Sequence, residues 1–138
     1  MRVFLRDVLL LQPEWDSENT PAMQERGRLL GQDLAGWLRE HLPALTRNAP
    51  IEIDDWNVHP SDGAGNKNVI PWVRVHSSSR SPKATLRWYV VYLFEAQDHR
   101  AYPALMQGAS EWKNREAQPR PRWLLRQRAQ AMRKALEP

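Results

Sequence analysis

The run Leu86-Arg-Trp-Tyr-Val-Val-Tyr-Leu-Phe-Glu95 is apolar on both faces of an extended chain. Trp88, Val90, Tyr92 and Phe94 alternate with Tyr89, Val91 and Leu93, which is the two-residue period of a strand. A strand without a polar face belongs inside a sheet and is covered on both sides. Working outward, VIPWVRVH at 69–76 also has β character, although Pro71 removes one ladder hydrogen bond and points to an edge or a bulge. Ile51, Ile53, Trp56 and Val58 suggest a further strand, followed by the turn-rich loop HPSDGAGNKN at 59–68. The serines of 77–83 read as a flexible polar connection, and 96–99 as a hairpin turn into RAYPALMQG at 100–108.

Both ends of the chain switch to helical spacing. Val3, Phe4, Val8 and Leu11 predict a short first helix. Thr20-Pro21 is an N-cap with proline at the first helical position. From there Met23, Leu30, Leu34, Trp37, Leu38 and Leu42 form a stripe that Pro43 ends. At the C-terminus Leu125, Ala129, Met132 and Leu136 recur on one face, with Arg126, Arg128, Arg133 and Lys134 off it. The expected fold class is α+β: a curled, largely antiparallel sheet of about four strands, packed with N-terminal helices and a basic C-terminal helix.

The chain's 138 residues suit one domain, expected to span 1–138. No apolar run approaches the roughly 20 residues needed to cross a bilayer. An acid at Asp7 interrupts what would otherwise resemble a signal peptide. There are no cysteines, so disulfides and thiolate metal sites are excluded. The expectation is a cytoplasmic protein held by its core, with no cofactor and no membrane contact. Charge is unevenly placed. Residues 1–60 carry 6 basic and 10 acidic groups, whereas 61–138 carry 14 basic and 6 acidic ones. Sixteen of the 20 basic residues are arginine, the side chain suited to phosphate and base-edge contacts. An acidic front and a basic rear suggest that the second half faces a polyanion.

The loop Asp62-Gly-Ala-Gly-Asn66 is neither a Walker loop nor a complete dinucleotide fingerprint. Gly63-Ala-Gly-Asn-Lys-Asn-Val-Ile-Pro-Trp-Val73, then Tyr89-Val-Val-Tyr-Leu-Phe94, then Tyr102-Pro-Ala-Leu-Met-Gln-Gly108 follow one another in order. Together they resemble the McrB-like N-terminal domain family, in which a G-x-G-N loop leads into a Pro-Trp strand, a Tyr-x-x-Tyr-Leu-Phe strand and a Tyr-x-x-Leu-x-Gln-Gly segment. The likeness covers about 63–108 well and 1–58 only in layout. Such domains stand at the front of McrBC-like type IV restriction systems. The resemblance therefore implies a module that recognises modified DNA, with base flipping as a route, rather than a catalyst. A GTPase motor and nuclease would be encoded nearby or fused. This chain departs from the pattern at Lys67, Arg87, Met106 and Pro103. It has no GxxxxGK[ST] sequence, so it is either an excised specificity domain or a free-standing relative.

A reader of modified bases needs cations for phosphates, aromatic faces for a base and polar groups for its edge. The DNA-binding candidates are Gly63, Gly65, Asn66, Lys67, Asn68, Arg74, Arg80, Lys83, Arg87, Arg120, Arg122 and Arg126, with Arg115 near them. The modified-base pocket is expected from Trp56, Trp72, Tyr89, Tyr102, Pro103 and Gln107, and Trp88, Tyr92 and Phe94 from the core. The partner expected is a modified duplex. Which modification is read stays open: methylated or hydroxymethylated cytosine, methylated adenine, a glucosylated base or a phosphorothioate backbone. Two rivals remain. The tryptophan-rich surface could serve a protein-interaction adaptor. Asp98 with Glu111-Trp-Lys113 also mimics the D…ExK order of metal-dependent nucleases, although Glu111 follows a glycine in a polar segment that reads as irregular. The four histidines show no metal-ligand spacing.

Overall fold

The computed structural model describes residues 1–48, 55–97 and 99–137. Helix α1 spans Arg2–Leu11 and runs into a 3-10 turn at Gln12–Glu14. Thr20 then caps the next helix, its hydroxyl accepting from the Met23 amide at 3.3 Å. That helix begins as α2, Pro21–Arg28, widens into π-helical turns over Leu29–Leu34 and continues as α3, Ala35–Leu45. Its inward residues Arg26, Leu30, Leu34, Leu38 and Leu42 recur every fourth position. A regular α-helix would rotate such a stripe by about 40° per repeat, and the wider turns keep it facing the sheet. Pro43 does not end the helix as its sequence suggests. Only one amide is lost so near the terminus, and Thr46 closes the end by donating its hydroxyl to the Leu42 carbonyl at 2.8 Å.

Four antiparallel strands form the sheet in the order β1-β2-β3-β4: Trp56–Ser61, Trp72–Ser77, Trp88–Phe94 and Ala101–Gln107. The expected fold class is the one observed, α+β with a curled open sheet. Ile51 and Ile53 lie outside the described residues. β1 extends through His59 and Pro60, which read as loop, because an edge strand tolerates proline. Pro103 sits on the other edge strand for the same reason. Pro71 stands just before β2, buried, and its carbonyl accepts from the Phe94 amide.

The helices cover one sheet face. Val8, Leu29, Leu30, Leu34, Leu38 and Leu42 pack with Val58, Val73, Val75 and Phe94, and Trp56 and Tyr92 flank them. Each fully buried Leu or Val there contributes roughly 1.5–3 kcal/mol. β3 is central, yet it is not covered on both sides. Its outer face is roofed only in part, by residues 78–87. Two elements follow the sheet. Ser110–Lys113 and Glu116–Pro119 pair as the hairpin β5–β6, where the sequence suggested irregular chain. Helix α4, Arg122–Leu136, has no fully buried residue, although Leu125, Ala129 and Met132 of its apolar stripe are half-buried.

Candidate nucleic-acid interface

The glycine loop joins β1 to β2 and is shaped from within by one ion-pair cluster. Arg26 is fully buried and reaches Asp62 at 2.6 Å. It also donates to the Asn68 carbonyl at 2.8 Å and to the Gln12 side-chain oxygen at 2.8 Å. Gln12 in turn donates to the carbonyls of Val69, Phe94 and Glu95. Burial pushes the Arg26 pKa down, and Asp62 opposes the shift. Lys67 completes the cluster at 3.0 Å from the other Asp62 oxygen, so the two cations share one carboxylate. Gly63 has φ of 112°, and a Cβ there would overlap the Asn66 carbonyl. The loop closes through the Asn68 amide on the Asp62 carbonyl at 2.8 Å and presents Gly65 and Asn66 at an exposed tip. Sequence reasoning missed Arg26 and Gln12. The available signal was that Arg26 falls on the apolar stripe between Met23 and Leu30.

The outer sheet face carries the aromatic site. β2 pairs with β3 only as far as Val75↔Val90. Beyond that point His76 and Ser77 pair with β1, while Trp88 and Tyr89 pair with β4, so the two central strands part. Two recesses open there. One, of about 190 Å³, is lined by Trp72, Arg74, Tyr89, Val91, Leu93 and Met106, with Ala84 of the roof. The other, of about 290 Å³, opens toward the opposite, helix-covered face: Trp56, Val75, Trp88, Val90 and Leu105 line it, with Tyr89, Arg80 and Arg87. Tyr89 borders both. Trp88 therefore faces a cleft and is not the core residue its sequence suggested; Phe94 and Tyr92 do belong to the core or pack against it.

Trp72 is fixed by stacking on His59, with ring centroids 5.7 Å apart and planes 22° off parallel. Burial, then the charges of Arg74, His76 and Arg39, hold the His59 pKa below the ordinary imidazole value. Arg74 is 5% exposed and its guanidinium lies 5.4 Å from the Tyr89 ring centre. Burial lowers the Arg74 pKa against the pull of Tyr89 and raises that of Tyr89.

The roof of the smaller recess is an ordered turn, not a flexible connection. Asp55 accepts from the Ser77 hydroxyl at 3.0 Å and from the Ser79 amide at 2.6 Å. Ser81 is buried and donates to the Leu86 carbonyl at 2.8 Å. Gly108 closes it from β4: its amide donates to the Arg87 carbonyl, and any Cβ would overlap the Thr85 carbonyl. Hydrogen bonds from Ser79, then from Ser77, depress the Asp55 pKa. A depressed carboxylate stabilises above its ordinary range and loses that contribution as pH falls through its folded value. Asp55→Ala, or acidification through that value, is expected to speed amide hydrogen exchange at Ser79 and Arg80 while core amides stay protected. Unchanged exchange at both amides would show that Asp55 does not hold the roof.

Arg80, Lys83 and Arg87 project from this roof, exposed and without an ion pair among the described residues. Arg122 and Arg126 are likewise exposed on α4, and Arg115 sits at the tip of the β5–β6 turn with φ of 66°. Arg120 instead pairs with Glu111 at 3.1 Å. Of the expected pocket residues, Trp72 and Tyr89 share the smaller recess, and Trp56 and Tyr89 the larger one. Tyr102, Pro103 and Gln107 line neither. Tyr102 is exposed and donates its hydroxyl to Glu95 at 3.0 Å. Pro103 is exposed opposite Tyr92, and Gln107 donates to the Leu125 carbonyl at 2.8 Å, tying α4 to β4.

The nuclease-like order gains no geometry among the described residues. Lys113 Nζ lies 2.7 Å from Glu111 Oε1, which holds the Glu111 pKa down, and Asp98 lies outside the described residues. No group of three potential metal ligands forms among the described residues, and no helix of theirs is long and apolar enough to cross a membrane. A family model described as MrcB-like, N-terminal domain matches residues 12–138. No curated protein and no solved structure matches the chain.

Proposed function

The chain belongs to the MrcB-like N-terminal domain family, and on that premise we propose that residues 1–138 form one DNA-binding, non-catalytic domain that reads modified DNA for an McrBC-type restriction system in the cytoplasm. The observation that carries the modified-base reading is the recess behind Trp72. It sets two aromatic walls, Trp72 and Tyr89, around a floor of Val91 and Leu93, closed by Ala84 of the segment that also carries the exposed Arg80, Lys83 and Arg87. Cations at the rim meet phosphates, while the recess receives an extruded base between flat apolar surfaces. The exposed loop tip at Gly65 and Asn66 and the free arginines of α4 extend the contact surface. A motor and nuclease, fused or encoded nearby, would act on what this domain marks.

The test is a fluorescence-anisotropy titration against short duplexes that differ at one base, at two salt concentrations. One modified duplex bound far more tightly than its plain twin supports a reader. Binding is also expected to weaken steeply with salt. Replacing Arg80, Lys83 and Arg87 by glutamine should flatten the log–log salt slope by about 1 for each phosphate contact removed. An unaltered slope would place the phosphate contacts elsewhere.

One observation favours a second reading. Trp112 and Trp123 are 71% and 67% exposed, and Leu136 at the end of α4 is 66% exposed. Such a surface would suit an adaptor that docks another subunit. A salt-insensitive complex with a neighbouring-gene product, and no DNA affinity, would favour it over the reader.

A further inference from the structure

Two arginines are buried in this protein, and they are treated differently. Arg26 is met by the Asp62 carboxylate, whereas Arg74, 5% exposed, has no acid within ion-pair distance among the described residues. Its Nη2 donates to the Pro82 carbonyl at 3.3 Å and lies 3.1 Å from His76 Nε2. Its Nε and Nη1 have no hydrogen-bond partner. A buried guanidinium with open donors and no counter-charge is costly. Arginine has donors only, so whatever satisfies these atoms must present acceptors. The surroundings sharpen the demand: His59 and His76 stand on the same face, and no carboxylate lines the recess among the described residues.

We propose that this recess selects an extruded pyrimidine carrying an anionic ring substituent, a carboxylate, and that Arg74 is the residue that selects it. The inference rests on the reading that the recess holds an extruded base. Trp72 and Tyr89 take the flat ring, and the substituent's oxygens accept from the Arg74 guanidinium, which lines the recess. A methyl group in that place would leave both donors dry, and an exocyclic amino group would oppose donor to donor. Backbone phosphates are not the anion in question, because Arg74 is 5% exposed, whereas Arg80, Lys83 and Arg87 are exposed and open to them.

The experiment uses three duplexes identical except at one cytosine: unmodified, 5-methylated and 5-carboxylated. Each is titrated by anisotropy with the wild-type protein, Arg74→Gln and Arg74→Lys, and melting curves report whether each variant is folded. The carboxylated duplex should bind roughly 10- to 100-fold more tightly than the methylated one, the ratio expected of hydrogen bonds to a charged group. Arg74→Gln should erase that ratio and Arg74→Lys should keep part of it. If the methylated duplex binds as well as or better than the carboxylated one, and both exceed the plain duplex, the charge inference is overturned while the modified-DNA reading stands. If all three bind alike, both fail. Should Arg74→Gln not fold, the wild-type ratio together with Arg74→Lys decides.

Discussion

Arg26→Met is expected to cost this protein about 3–5 kcal/mol, the penalty for stranding one partner of a buried pair. For a chain of this size that corresponds to a loss of roughly 10–25 °C in melting temperature. The side chain is fully buried, and its removal leaves Asp62, the Asn68 carbonyl and the Gln12 amide oxygen short of a donor together. Lys67 remains on Asp62 but cannot reach the whole set, because its amine already sits at the outer carboxylate oxygen. The loss should be seen by thermal and urea melts, with the glycine loop and α1 loosening together in hydrogen exchange. Adding Asp62→Asn should not restore stability, since Lys67, 3.0 Å from Asp62, is then the charge left without a partner. A single-variant loss below about 1 kcal/mol, the range of ordinary surface changes, would mean that the cluster rehydrates on mutation and does not build the loop.

Trp72→Ala is expected to remove the preference for modified DNA while weak, salt-sensitive binding persists. One base–aromatic stack is worth roughly 1–3 kcal/mol, a fall of about 5- to 150-fold for the modified duplex alone. The variant should stay folded, because Trp72 lies on the outer face, away from the helix-covered core. Tyr102→Ala is the informative companion. The sequence reading gives it the same outcome, yet its ring is exposed and its hydroxyl is spent on Glu95. Its effect should be the smaller of the two. Full preference in both variants would remove the base pocket from this face.

The features legible in the sequence were those set by near neighbours. Thr20-Pro21 starts a helix, the alternation at 88–94 forms a strand, and the three ordered motifs name the family, because caps, pleats and loop signatures act over a few residues. Pairings between distant segments were not legible. Lys67 read as a free cation, but it lies 3.0 Å from Asp62, which Arg26 also holds from 36 positions away in the chain. The serines of 77–83 read as flexible, but Asp55, just before the neighbouring strand β1, ties Ser77 and Ser79 down. Pattern alone also could not show that β5–β6 forms a separate hairpin, since short polar strands carry almost no periodic signal.

The sequence by itself determined the α+β class, the family and the basic second half, all properties of local pattern and composition. Only the tertiary structure decided which arginine is balanced and which is left open. Arg26 and Arg74 look alike in the sequence. Folding places one beside a carboxylate and the other beneath a tyrosine with two donors unmet. That difference arises because burial removes water as the default partner, so each charge is defined by whatever the fold brings within about 3 Å of it.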